Sequence, residues 1–283
     1  MSTDGFDVFV QLVIAAMTTE PLSTCFAASI SSGVDGMVAA SGSFAFFAAF
    51  FLAPMAVVLI TSLTNPGGQP TFAHYLRILA DAYHWDVLWV TLRIGALTTL
   101  ACVLIGYPLA WYLVRIVRWR PWRRFCVILL IVPLFTSNIV RSFGWMVLLG
   151  RNGLVNDGLV GLGLIERPMR FLGTELGIMI GLVYILLPFI VLAVGNAFRT
   201  IIFPLSLPGL MAGAVMVFML AVSAYVTPAL LSGGRITVFS MLIFQQYSSV
   251  FDFHYGGALS ITMLVLTLAL VAVAGRIGEP RRA

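Results

Sequence analysis

The fold is decided by the stretch Phe198-Arg-Thr-Ile-Ile-Phe-Pro-Leu-Ser-Leu-Pro-Gly-Leu-Met-Ala-Gly213, a proline-punctuated elbow between two apolar segments. Pro204 and Pro208 each remove a backbone N–H donor and fix φ, so a helix can begin here but cannot run through. The apolar run that begins at Leu210 breaks again at Thr227-Pro228. The pattern predicts a loop that leads into a membrane helix.

The composition extends this interpretation to the whole chain. Hydrophobic residues make up 60% of the 283 residues, charged residues make up 10%, and the mean hydropathy is +1.04. A water-soluble chain of this size would carry charge over its entire surface. The net charge of +5 comes from arginine alone, and basic residues cluster only in one short loop between apolar runs. These features predict a membrane protein and exclude a nucleic-acid-binding surface.

Residues that could carry chemistry are scattered. The sequence has no catalytic triad pattern, no phosphate-binding glycine loop and no HExxH motif. No cysteine or histidine has metal-ligand spacing to another. These six residues are Cys25, Cys102, Cys126, His74, His84 and His254. We therefore expect no catalytic site, no metal site and no cofactor in this chain.

Apolar runs predict six membrane spans within a domain at 43–275. The spans are expected at about 44–63, 87–114, 125–149, 176–194, 205–231 and 258–275. Phe72 to Asp86 has mixed polarity at helical spacing and predicts an interfacial helix. Residues 1–42 are expected to form a cytoplasmic extension or interfacial segment, with a start codon placed too far upstream as the alternative. Residues 276–283 form the tail.

The distribution of arginine predicts the orientation in the membrane. Segments on the side of the 115–124 loop hold nine arginines, and the opposite segments hold five. Cytoplasmic loops carry the excess of basic residues, so both termini are expected to be cytoplasmic. The nine are Arg115, Arg118, Arg120, Arg123, Arg124, Arg199, Arg276, Arg281 and Arg282.

Four phrases carry a resemblance to a known family. The longest is Pro133-Leu-Phe-Thr-Ser-Asn-Ile-Val-Arg-Ser-Phe-Gly-Trp-Met-Val-Leu-Leu-Gly-Arg-Asn-Gly-Leu-Val-Asn156. It is followed in order by Tyr184-Ile-Leu-Leu-Pro-Phe189, Tyr225-Val-Thr-Pro228 and Ile243-Phe-Gln-Gln-Tyr247. Together with the elbow they resemble the permease subunits of the spermidine/putrescine branch of binding-protein-dependent ABC importers, over about residues 44–275.

The resemblance implies an all-α, six-span fold of the type I importer permease kind in the bacterial inner membrane. It implies one half of a pore that pairs with a second permease, identical or different. Two partner ATPases would bind ATP and Mg, and a periplasmic binding protein would deliver a small amine-containing solute. An ion-gradient-driven secondary transporter is the alternative, and it would need intramembrane acids or an inverted repeat. A membrane enzyme is a third, and it would need a nucleophile or metal cluster.

One departure from the family pattern concerns the ATPase contact. A helix pair of the "EAA…G" type should lie before the elbow, but Val194 passes almost directly to it. Only Asn196, Phe198 and Arg199 then remain as candidates for an ATPase-docking loop. Either the chain has lost this docking element or the segment is absent from the given sequence. If it is lost, a contact of so few residues would transmit little conformational work, and we expect weak or asymmetric coupling in which the partner permease carries most of the docking.

Polar and aromatic residues within the predicted spans are candidates for the translocation path. Arg141 lies inside a span, where a charge is costly unless it faces water or a partner, and Asn138 shares its helix face. The other candidates are Trp145, Tyr184, Tyr225, Thr227 and Gln245. Arg93 is either a further functional residue or an arginine that reaches the outer headgroups. Because no acid lies within a span, a zwitterionic amine conjugate fits at least as well as a polyamine-like cargo.

Overall fold

A computed structural model describes residues 52–65, 67–117, 119–200 and 207–278. This part of the chain is helical, without strands beyond an isolated bridge between Thr64 and Pro70, and the all-α prediction is confirmed for it. Its α-helices are α1 (Ala53–Ser62), α2 (Ala73–Ala80), α3 (Ala82–Trp111), α4 (Arg120–Ile131), α5 (Asn138–Leu148), α6 (Leu154–Gly161), α7 (Glu175–Thr200), α8 (Leu207–Ser223), α9 (Val226–Leu231), α10 (Phe239–Gln245) and α11 (Phe253–Gly278). The predicted extension at 1–42 and the end of the tail lie outside the described residues.

Three helical segments in the described part are long and apolar enough to cross a bilayer: Ala82–Ile116, Glu175–Gly195 and Phe253–Arg276. The bent pair Pro121–Phe135 and Asn138–Leu148 passes the same test when it is taken together. Two shorter apolar helices, Ala53–Ser62 and Gly209–Ser223, fall where the first and fifth spans are predicted. The count of six spans therefore stays a prediction.

The second span begins earlier than predicted. The expected interfacial helix at 72–86 is two elements, α2 and the first turn of α3, separated by Asp81. The Asp81 carboxylate accepts the backbone N–H of Tyr83 at 3.0 Å, which caps α3. An aspartate at this position satisfies one of the free donors at a helix start. The long helix then runs to Trp111 and ends in a π-helical turn, Tyr112–Ile116.

The third span is not one straight helix. The chain turns by 103° between α4 and α5, through the 3-10 turn Val132–Phe135. Pro133 removes a helical donor, and Thr136 donates its hydroxyl to the carbonyl of Pro133 at 2.8 Å. Ser137 then caps the new helix by accepting the N–H of Ile139 at 3.3 Å. The segment predicted as the third span, 125–149, is therefore a bent pair of helices, and its bounds as a span stay a prediction.

The fifth span is also interrupted. Helix α8 ends at Ser223 and the short α9 begins at Val226, so the segment predicted as the span 205–231 is two helices, with a break close to the one that the sequence places at Thr227-Pro228. Pro228 has no N–H to offer the carbonyl of Ala224, one turn before it. The hydroxyl of Ser240, on α10, donates to that carbonyl instead, at 2.7 Å. The break is thus satisfied by a residue from another helix.

Helices α3, α7 and α8 pack around a shared core that includes Ile94, Leu182, Ile190 and Val217, all at most 2% exposed. Glycine allows the close approach of α3 and α8, because a Cβ on Gly95 would lie 2.7 Å from Cγ2 of Val222. Small residues at such contacts are typical of membrane helix packing.

Buried hydrogen bonds hold the connecting segments in place. The N–H of Phe239, the first residue of α10, donates to the hydroxyl of Thr91 on α3 at 2.8 Å. Asn156 on α6 is fully buried, donates to the carbonyls of Gly150 and Met169, and accepts the N–H of Met169. The three hydrogen bonds of Asn156 fix the segment between α5 and α7.

Candidate translocation site

Asn138 and Arg141 lie on the first turn of α5, directly after the bend that separates α5 from α4. A terminal N–H of the Arg141 guanidinium donates to Oδ1 of Asn138, so the shared helix face that the sequence predicted is confirmed. The Nε and Nη1 atoms of Arg141 are buried and have no hydrogen-bond acceptor among the described residues. Arg141 is therefore a cation with unused hydrogen-bonding capacity.

Trp145 is one turn beyond Arg141 and contacts Tyr184 of α7. The two rings meet edge to face, with centroids 5.4 Å apart and planes at 63°. Tyr184 is 38% exposed, so the pair presents aromatic surface outward. Tyr184 comes nine residues after Glu175, the first residue of α7, which is about 14 Å along the helix axis. With Glu175 at the predicted outer boundary of the membrane, that depth would be near the middle of a bilayer core of about 30 Å.

Thr227, on α9, packs against both α5 and α7. It is 4% exposed, and its hydroxyl lies 3.1 Å from the hydroxyl of Ser142 on α5. A Cβ on Gly181 of α7 would come within 3.0 Å of the Thr227 methyl group. Thr227 is thus part of the packing between α5, α7 and α9 in this structure, and its place in the path stays a prediction.

A second aromatic pair begins at Tyr225, directly before α9. Its ring stacks on Phe244 of α10, with centroids 4.3 Å apart and an interplanar angle of 30°. Gln245, the neighbour of Phe244, is exposed. Phe244 was not among the sequence candidates, although it lies inside the Ile243–Tyr247 phrase. The structure therefore adds one aromatic residue to the candidate site.

The candidates for ATPase docking lie on a helix. The backbone of α7 stays helical through Thr200, so Asn196, Phe198 and Arg199 continue the helix beyond the apolar span Glu175–Gly195, which ends one residue from the predicted end at Val194. Residues 201–206 of the elbow lie outside the described residues. The docking role of these three residues stays a prediction.

Arg93 has a partner that the sequence did not reveal. Its guanidinium donates from Nε at 3.0 Å and from Nη2 at 2.6 Å to the same carboxylate oxygen of Glu175. The pair links the outer parts of α3 and α7 as they are predicted to lie in the membrane. Arg93 therefore forms an ion pair within the chain.

His74, His84 and His254 are far apart in the sequence, but the structure brings each of them close to another histidine or to Tyr255. The isolation that the sequence indicated is therefore corrected. Nε2 of His84 lies 2.7 Å from the hydroxyl of Tyr255, and the ring of His74 lies 6.1 Å from the Tyr255 ring. The rings of His74 and His254 are stacked at 6.5 Å, and the Arg77 guanidinium lies 5.0 Å above the Tyr255 ring. No metal-binding group of three ligands occurs among the described residues.

Comparison with known proteins places the sequence. The chain is 30% identical over 252 residues to the spermidine/putrescine transport system permease protein PotB of Haemophilus influenzae, covering 79% of this chain and 87% of the relative. It is 32% identical over 218 residues to PotB of Escherichia coli K12, covering 69% and 78%. The inner membrane ABC transporter permease protein YdcU of Escherichia coli K12 is 24% identical over 236 residues, covering 72% and 75%. No protein-family model matches the chain.

A comparison with solved structures finds the same fold in an importer. A bacterial ABC transporter involved in the import of the acidic polysaccharide alginate matches with a TM-score of 0.69 and 16% identity, over 88% of this chain and 97% of that chain. At this identity the likeness concerns the fold alone. The PotB relatives favour the importer interpretation over the secondary-transporter alternative. By its identity and coverage with the two PotB proteins, the chain belongs to the family of permease subunits of spermidine/putrescine-type ABC importers.

Proposed function

We propose that this chain forms one half of the translocation path of an ATP-driven importer for small amine-containing solutes, either polyamine-like or zwitterionic amine conjugates. The observation that carries the proposal is the cluster of Asn138, Arg141, Trp145 and Tyr184, which lies on α5 and α7 in a permease of this family. The names of the relatives, spermidine/putrescine transport permeases, support the amine-containing cargo.

The chemistry of the cluster favours an amine with a second, acceptor-bearing group. The exposed ring of Tyr184, with the half-buried Trp145 beside it, attracts ammonium groups through its face. The guanidinium of Arg141 repels a second ammonium and attracts a carboxylate or phosphonate. A zwitterionic conjugate satisfies both groups at once, whereas a polyamine would need an acid from the second permease to offset Arg141.

The proposal includes partners in the inner membrane. A second permease completes the path, two cytoplasmic ATPases bind ATP and Mg and drive alternating access, and a periplasmic binding protein delivers the solute. This chain then carries no cofactor and no catalytic site, and its termini lie on the cytoplasmic side. Because the chain has few residues to seat in an ATPase, coupling is asymmetric and rests mainly on the second permease.

Reconstitution of the complete importer in liposomes tests the cargo. With ATP inside and the binding protein outside, accumulation of labelled spermidine, putrescine and an amino-acid–amine conjugate is measured for the wild type and for Arg141→Gln. We expect the variant to lose import of the conjugate and to retain import of the polyamines. Uphill accumulation by this chain alone, driven by a proton or sodium gradient, would contradict the proposal.

The coupling is tested separately in the same liposomes. Disruption of the coupling helix in the second permease is expected to abolish ATP-driven import. Unchanged import would show that this chain docks its ATPase fully and would refute asymmetric coupling.

A further inference from the structure

The turn between α3 and α4 presents five exposed residues that we call the basic-aromatic surface: Arg115, Trp119, Trp122, Arg123 and Arg124. Trp119 is 70% exposed and Trp122 is 47% exposed. In the sequence this turn is the most basic part of the chain, because Arg118 and Arg120 add to the charge and no acid occurs between Asp86 and Asp157. Neither the importer mechanism nor the candidate path uses this surface.

Within the part of the chain that the structure describes, no carboxylate neutralises the positive charge of this surface. The ion pairs of the described residues are His84 with Asp81 and Arg93 with Glu175, so the three arginines of the surface have no carboxylate at ion-pair distance. Helix α4 also has no acid in its first turn, where the helix dipole is positive and basic residues are unfavourable. The charge of these exposed arginines is therefore open to negative groups at the membrane surface.

The position of the surface decides what those groups are. It lies where the membrane-spanning segment Ala82–Ile116 ends and the next apolar segment begins at Pro121. Only Val117 to Trp119 connect the helices, and Leu113 and Val117, 7% and 8% exposed, anchor the turn against the protein. A turn this short, placed directly between two apolar segments, is expected to hold the arginines at the level of the lipid headgroups.

We propose that the basic-aromatic surface binds the headgroups of anionic phospholipids. Guanidinium groups donate paired hydrogen bonds to phosphate oxygens, and clusters of basic residues beside a membrane helix attract anionic lipids. Tryptophan is enriched at this level because its ring is apolar and its N–H is polar. Trp122 stacks on Phe125 with ring centroids 5.5 Å apart, which holds it beside Arg123 and Arg124.

Native mass spectrometry of the complete importer tests the proposal. The purified complex is titrated with phosphatidylglycerol or cardiolipin, and with phosphatidylcholine as the neutral lipid, and the bound lipids are counted. In Arg123→Gln/Arg124→Gln we expect the affinity for the anionic lipids to fall about 30-fold, the combined effect of two basic residues near an anionic surface. Binding of phosphatidylcholine should not change.

Two further variants separate the surface from general effects of charge and folding. Arg123→Lys/Arg124→Lys keeps the charge and should retain most of the binding. Arg167→Gln/Arg170→Gln removes two exposed arginines between α6 and α7 and should leave the lipid count unchanged. Equal lipid binding by the Arg123→Gln/Arg124→Gln variant and the wild type would overturn the proposal, as would an equal loss in the Arg167→Gln/Arg170→Gln variant. A loss of bound ATPase with unchanged lipid binding would assign the surface to the ATPase and also overturn it.

Discussion

The hydroxyl of Ser142 lies 3.1 Å from the hydroxyl of Thr227, and both side chains are buried. The pair joins α5, the second half of a bent helix, to α9, the short helix after another break. Ser142 directly follows Arg141 on α5 and comes three residues before Trp145. The contact therefore fixes the part of α5 that carries the candidate site to α9.

The singly substituted variants Ser142→Ala and Thr227→Val should each lower the free energy of unfolding by about 0.5–1.5 kcal/mol, since each leaves one buried hydroxyl without its partner. The double variant should cost less than the sum, because no hydroxyl then remains unpaired. The measurement is a double-mutant cycle on unfolding in detergent micelles. A coupling energy indistinguishable from zero would show that the two hydroxyls do not interact.

Gly95 predicts the cost of filling a helix contact. Alanine at this position would place its methyl carbon 2.7 Å from Cγ2 of Val222, so α3 and α8 must move apart. We expect Gly95→Ala to lower the unfolding free energy by about 1–3 kcal/mol, as overpacking does. Thermal unfolding in detergent measures it.

Gly144 provides the matched control on α5, because a Cβ there meets nothing within 4 Å. Gly144→Ala should be neutral or stabilising, by up to about 1 kcal/mol from helix propensity. Adding Val222→Ala to Gly95→Ala should restore part of the loss. If both glycine variants unfold alike, the close contact at Gly95 is not the cause.

The helical fold and most of the apolar helices could be predicted from hydropathy, and the break near Thr227-Pro228 could be predicted from its proline, but the bend after Pro133 could not. Pro108 and Pro188 lie inside continuous helices, whereas Pro133 and Pro228 lie at or beside breaks. A proline in an apolar run allows either outcome. The outcome depends on whether other side chains satisfy the freed backbone groups, as Ser240 does for the carbonyl of Ala224 at 2.7 Å.

The candidate site was predictable only where its members are near in sequence. Asn138 and Arg141 are three residues apart on one helix, so their contact follows from helical geometry. Trp145 and Tyr184 come from different helices, and their contact depends on how α5 packs against α7 after the bend. Phe244 was missed because an isolated phenylalanine in an apolar run gives no signal of a stacking partner.

The contact between His84 and Tyr255 predicts a structural role for the outer end of α11. Tyr255→Phe removes the hydroxyl that lies 2.7 Å from Nε2 of His84 and leaves that buried nitrogen without its partner. We expect the free energy of unfolding to fall by about 1–2 kcal/mol. The amides of α11 should also exchange faster with deuterium.

Tyr83→Phe supplies the control for that substitution. Tyr83 is 49% exposed, and its ring meets the His84 ring edge to face with centroids 5.8 Å apart. The control variant should change neither stability nor exchange. Equal protection of α11 in Tyr255→Phe and the wild type would show that the hydroxyl contributes nothing.

The aromatic pair Trp145–Tyr184 makes the strongest prediction for transport. If the exposed face of Tyr184 binds an ammonium group, Tyr184→Phe keeps the ring and should import normally, whereas Tyr184→Leu should lose about 0.5–2 kcal/mol of binding. That loss corresponds to a rise of roughly 2- to 30-fold in the solute concentration at half-maximal import.

Trp145→Leu should act in the same direction, because the edge-to-face contact orients the Tyr184 ring at a centroid distance of 5.4 Å. Trp89→Leu, which removes a tryptophan that is 64% exposed on α3, tests whether any loss of aromatic surface has this effect. The measurement is ATP-driven uptake by the reconstituted importer over a range of solute concentrations. Equal effects of Trp145→Leu and Trp89→Leu, or a normal Tyr184→Leu variant, would remove the pair from the path, because a ring that the solute touches cannot be replaced by an aliphatic chain without loss of the ammonium contact.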